Sequence, residues 1–158
     1  MSELAEAIRL REAGKLAEAN ERLIKLASAF PADAEIQYQC AWSFDVLGEE
    51  AAAVPYYERG ISLGLPKEHE EGAYLGLGST YRTLGNYKKA EQTLREAMEL
   101  FPENNAFPVF YAMVLHNLKE HGKAMRIILQ LLAKTTSDSD ILEYQKAIAY
   151  YADKLDII

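Results

Sequence analysis

A repeat of about 34 residues, carried by the same small and bulky side chains at fixed offsets, constrains this chain more than any other feature. It is clearest from Glu71 to Asn104, EGAYLGLGSTYRTLGNYKKAEQTLREAMELFPEN. Tyr74, Leu77, Gly78 and Tyr81 follow one another adjacently or three or four residues apart. Gly85 interrupts the pattern, Ala90, Leu94 and Ala97 resume it, and Pro102 closes it. That pattern predicts two amphipathic helices joined by a tight turn. Gly78 and Ala90 are small where the two helices approach, because a larger residue there would overpack the contact by about 1–3 kcal/mol. Gly85 suits the left-handed conformation that ends a helix, and Asn86 can cap the next one.

The spacing Tyr74-x-x-Leu77-Gly78-x-x-Tyr81, then Ala90-x-x-x-Leu94, then Pro102, resembles the tetratricopeptide repeat. The resemblance extends over nearly the whole chain. Gly14, Gly48 and Gly85 mark successive turns, and Ala19, Ala53, Ala90 and Ala124 recur as the small residue of each second helix. It implies an all-α fold, a right-handed α-solenoid of four helix-turn-helix repeats plus a C-terminal capping helix. The expected organisation is one domain over 1–158. Its repeats lie at about 1–33, 34–67, 71–104 and 105–138, and its capping helix at 139–156. The first repeat has a truncated opening helix ending near Ala13 and forms the edge expected to fray. Asp33 is the expected N-cap of the second. Pro55 inside that repeat's second helix removes a backbone bond and predicts a kink. Between the second and third repeats the offset grows by three residues, which are assigned to a loop over Gly64–Glu70 with His69 solvated in it. In the fourth repeat Lys119 stands in place of the turn glycine and His121 in place of the following tyrosine. Ile141, Tyr144, Ile148 and Leu155 give the last helix its apolar stripe, suited to sealing a terminal hairpin.

The charge balance excludes several classes of function. The 158 residues carry a formal charge of −7, with 26% charged and 49% hydrophobic residues. These are the proportions of an ordinary folded protein. A pI near 5.0 argues against non-specific binding of nucleic acid or an anionic membrane, both of which need clustered Lys and Arg. The opening MSELAEAIRLREAGK lacks the apolar core of a secretory signal, and no uncharged run reaches the ~20 residues that span a bilayer. The one cysteine, Cys40, has no disulfide partner and no metal-ligand companion. It falls at a core position, so a buried structural thiol in a cytoplasmic setting is expected.

No catalytic constellation is found. The segment GLGSTYRTLG is not a phosphate loop, because Ser79 and Tyr81 sit where small residues are needed and no strand precedes it. His116 and His121 are five apart, about 140° around a continuous helix, so one helix face cannot present both to a metal. The expectation is a non-enzyme without cofactor or metal. By the family resemblance, the first helix of each repeat lines a concave groove, whose positions here are Leu4, Ile8 and Arg11; Tyr38, Trp42 and Asp45; Leu75, Ser79 and Arg82; and Val109, Met113 and His116. The lysine–asparagine clamp with which some members hold a chaperone's C-terminal carboxylate is missing. An apolar and aromatic floor with a polar edge implies a partner protein or peptide held by an apolar or amphipathic segment. Tyr38 and Trp42 would be its anchors, with Arg82 and His116 orienting an acidic group. The alternative is a homo-oligomer, such as a homo-dimer, that buries the groove or the Ile157-Ile158 tail against another copy.

Overall fold

The computed structural model describes residues 1–157, and all regular structure among them is helical. The chain forms two compact units, Met1–Lys89 and Ala90–Ile158. Ile158, half of the proposed tail, lies outside the described residues.

The first unit contains α1 (Glu3–Glu12), α2 (Leu16–Ala29), α3 (Ala34–Val46), α4 (Glu50–Leu63) and α5 (Lys67–Thr83). Each helix packs on the next, and α3 also meets α1 and α5. Its core is built around Ala7, Leu23, Leu26, Ala27, Ile36 and Cys40, with Leu4, Phe44 and Tyr56 closing over it. Burial pushes the Cys40 thiol up to about 12, so it is an inert packing group. Ser2 Oγ accepts from the Ala5 amide at 3.1 Å and Asp33 Oδ1 from the Ile36 amide at 3.0 Å, capping α1 and α3. The N-terminal edge thus opens with a capped helix. Helix α4 runs on through Pro55.

The second unit contains most of α6 (Tyr87–Leu100), which begins at the boundary, then α7 (Ala106–Asn117), α8 (His121–Thr135), α9 (Ser139–Glu143) and α10 (Gln145–Tyr151). Helices α7 and α8 form a hairpin, and α10 lies against α8. Phe101 stacks on the fully buried Phe107 with ring centroids 5.9 Å apart, and Ala112, Leu115 and Ala124 pack between the hairpin arms.

The four hairpin turns are copies of one motif. The amides of Lys15, Glu49, Asn86 and Glu120 each reach back five residues, to the carbonyls of Leu10, Phe44, Tyr81 and Leu115, at 2.8–3.0 Å. This Schellman closure needs a left-handed residue just before the reaching amide. Gly14, Gly48 and Gly85 supply it with φ of 82°, 75° and 78°. In the fourth turn Lys119 takes φ 67°, the one positive φ among the described non-glycine residues. The turn is thus kept where glycine is not, and the backbone there is strained.

Two expectations are corrected. The three additional residues before the third repeat do not form a loop. They lengthen α5 to 17 residues, against 13 in α3, leaving only Gly64, Leu65 and Pro66 as the connection. Nothing from Lys67 onward breaks a helix, Glu68 and Glu70 favour its N-terminal dipole, and His69 is tied to α3. The single capping helix over 139–156 is instead two short helices ending at Tyr151. Tyr144 leaves helical geometry (φ −105°, ψ 15°), and the following Gln145 Nε2 donates to the Ala133 carbonyl of α8 at 2.7 Å.

A candidate partner-binding face

Helices α1, α3 and α5 of the first unit carry nine of the predicted groove residues. Trp42 is the most open of the aromatic ones, 40% exposed. Its ring is held from one side by the Arg11 guanidinium, 3.8 Å from the ring centroid. Arg11 is itself only 9% exposed, and its Nη1 donates to Gln39 Oε1 at 2.6 Å. Gln39 Nε2 donates in turn to Glu35 Oε1 at 2.8 Å, and the other Glu35 oxygen meets His69 Nδ1. A line of polar groups thus crosses from α1 over α3 to α5, fixing the three helices in register. Burial lowers the Arg11 pKa, with Glu12, Tyr38, Tyr57 and Glu35 opposing that shift.

Tyr38 corrects the expectation that it would be a surface anchor. It is 8% exposed, and its ring lies among Trp42 (6.0 Å), His69 (5.5 Å) and Tyr57 (6.3 Å). Burial, then Glu35, raises its pKa. Tyr38 supports Trp42 from within. His69 is likewise not a free loop residue, being half-buried against Glu35 and Tyr38. Tyr57, almost fully buried, donates its hydroxyl to Asp45 Oδ2 at 2.8 Å. Burial holds the Asp45 carboxyl above the usual carboxylate range, opposed by that hydrogen bond. Leu4, Ile8, Leu75, Ser79 and Arg82 are half-buried along the same three helices.

Sequence reasoning missed the glycines that make room for this arrangement. A Cβ at Gly72 would collide with the Tyr38 hydroxyl, and one at Gly76 would fall 2.5 Å from the Tyr57 ring. The signal was present: two glycines four apart, Gly72 and Gly76, sit on one helical face, one just before Tyr74 and one just after it. Gln39, Glu35 and His69 carried no comparable mark.

In the second unit Val109 is half-buried, Met113 is 39% exposed, and His116 is exposed at the end of α7. There the structure changes the expectation for the two histidines. They lie on different helices, His121 being the first residue of α8, and their Nδ1 atoms are 3.0 Å apart.

These observations define an all-α protein built of tetratricopeptide-type hairpins. The family model "Tetratrico peptide repeat" matches residues 34–155, and the chain belongs to that family, whose fold serves protein–protein interaction. No curated protein matches the sequence. Solved structures share the architecture. MamA 41-end from Desulfovibrio magneticus RS-1 aligns with TM-score 0.74 at 16% identity, covering 94% of this chain and 85% of that one. YrrB, described as a TPR protein with an unusual peptide-binding site, aligns with TM-score 0.65 at 17% identity over 95% and 84%. Cut9 in the APC/C Cut9–Hcn1 hetero-tetramer aligns with TM-score 0.73 at 18% identity, over 92% of this chain and 29% of that one. At such identities the likeness shows the fold alone. Among the described residues no helix is long and apolar enough to cross a membrane.

Proposed function

We propose that this chain is a non-catalytic scaffold that holds a partner protein by a short apolar or amphipathic segment laid across α1, α3 and α5. One observation carries the reading. Trp42 is open to solvent on a backing of buried groups, with Arg11 stacked on it and Tyr38 behind it. A large side chain kept accessible and rigid offers contact area at little entropic cost. In this reading Leu75 and Ile8, half-buried on α5 and α1, add apolar contacts to the segment. A reducing, cytoplasmic setting belongs to the same reading, supported by a single buried thiol.

Trp42 is the only tryptophan, so its fluorescence reports on the face directly. Titration with a library of short amphipathic peptides should shift and quench its emission for those that bind. Trp42→Ala should abolish their capture while lowering stability by about 2–3 kcal/mol and leaving the melt cooperative, since the ring is 40% exposed and its buried part is lost. Loss of the cooperative melt would show that Trp42 is a core residue and sink the reading.

A second reading is favoured by α8, where Met125, Ile128 and Leu132 form one exposed apolar stripe. With Ile157, 78% exposed, they would bury against another copy. Light scattering that returns the monomer mass across a concentration series removes this option.

A further inference from the structure

We infer that His116 and His121 form a surface chelate for one divalent transition-metal ion of the copper–nickel–zinc class. The two imidazoles close the α7–α8 hairpin from outside, with Nδ1 atoms 3.0 Å apart, ring centroids 4.7 Å apart and planes inclined at 57°. Two imidazole nitrogens bound at about 2.0–2.1 Å to one ion, at angles of about 90–110°, are themselves about 2.9–3.4 Å apart. The metal-free pair already has that separation, held as an N–H···N contact that an ion would replace, and both rings are exposed and free to turn their lone pairs onto a common point. Imidazole is the ligand that suits copper, nickel and zinc.

Charges around the pair do not fill the position with a competing cation. Lys123, one turn into α8, is engaged with Glu120 at 3.3 Å. Among the described residues no third histidine, cysteine or carboxylate joins the pair, so water completes the coordination sphere. The site is therefore an open two-imidazole chelate, whose affinity should follow the order in which copper exceeds nickel and zinc. Its mechanical consequence is local. The ion ties the last turn of α7 to the first turn of α8 across the strained Lys119 turn, so binding stabilises that hairpin by mass action.

The test uses the full chain in a buffer that does not bind metals, with Cu²⁺, Ni²⁺ and Zn²⁺ titrated separately by calorimetry. One ion per chain should bind, with copper tightest, and His116→Ala or His121→Ala should each weaken binding by about tenfold or more. The melting temperature of the parent should rise with metal concentration, and that of the double variant should not. His69 remains in every variant. An isotherm left unchanged in the double variant would place the ion on His69 or surface carboxylates and overturn the inference, as would no binding at all.

Discussion

Helices α3 and α7 hold equivalent places in their repeats and are filled in opposite ways. Helix α3 buries Gln37, Gln39 and Ser43 beside its apolar residues, and each is satisfied. Gln37 donates to the Ala27 carbonyl at 3.2 Å, Ser43 to the Cys40 carbonyl at 2.7 Å, and Gln39 bridges Arg11 and Glu35. Helix α7 buries Phe107, Ala112, Val114 and Leu115, with no polar side chain among them. Apolar fill is forgiving of small shifts, whereas a buried polar group left without its partner costs about 1–3 kcal/mol. The hairpin skeleton thus tolerates either interior. The polar one fixes the register of the helices beneath Trp42, and the apolar one supplies packing alone.

The largest expected effect tests the apolar side of that contrast. Phe107→Ala should cost about 3–5 kcal/mol in urea unfolding, because a fully buried ring is replaced by a cavity. A cost below 1 kcal/mol would mean that the second unit is loosely packed.

On the polar side, Gly76→Ala should destabilise by about 1–3 kcal/mol despite the better helix propensity of alanine. The new methyl group meets the Tyr57 ring, which is buried and anchored on Asp45. Combining it with Tyr57→Leu should recover part of the loss. An unchanged or raised stability in the single variant would show that the first unit yields as easily as the second.

A smaller effect of opposite sign separates the turns. Lys119→Gly should stabilise by about 1 kcal/mol, because the left-handed backbone carries no penalty for glycine. Gly48→Ala should lose a similar amount in the second repeat's turn.

The smallest effect is a pH dependence. The Asp45 pKa is raised in the folded state, so over the window from the ordinary aspartate value up to the raised one the folded chain holds more protons than the unfolded chain. Stability therefore falls as pH rises through that window. Asp45→Asn keeps an acceptor for the Tyr57 hydroxyl and should remove that part of the slope in urea midpoints measured from pH to pH. A slope that persists unchanged would assign it to other carboxylates.

The repeat was legible because it rests on local chemistry. The turn position at Lys119 followed from offsets alone, and the structure keeps its φ positive where the side chain argues against it. The lengthening of α5 was misread as a loop, since an offset counts residues without saying which conformation absorbs them. The division of Ser139–Asp156 was also missed, because an apolar stripe does not reveal that Gln145 finds the Ala133 carbonyl. At the candidate face the stripe positions were readable, but their depth was not. Tyr38 and Trp42 are equally good interface residues by type, and the packing of α4 and α5 against α3 buries one and leaves the other open.

Sequence by itself settled the order of the hairpins and the place of their four tight turns, because those choices depend on side-chain size and backbone freedom within a few residues. Tertiary structure decided which aromatic ring meets solvent, where His69 goes, and that two histidines five apart come within 3.0 Å. Each of these depends on the distance between helices, and that distance is set by groups, such as Gly72 and Gly76, on a different element from the residues they position.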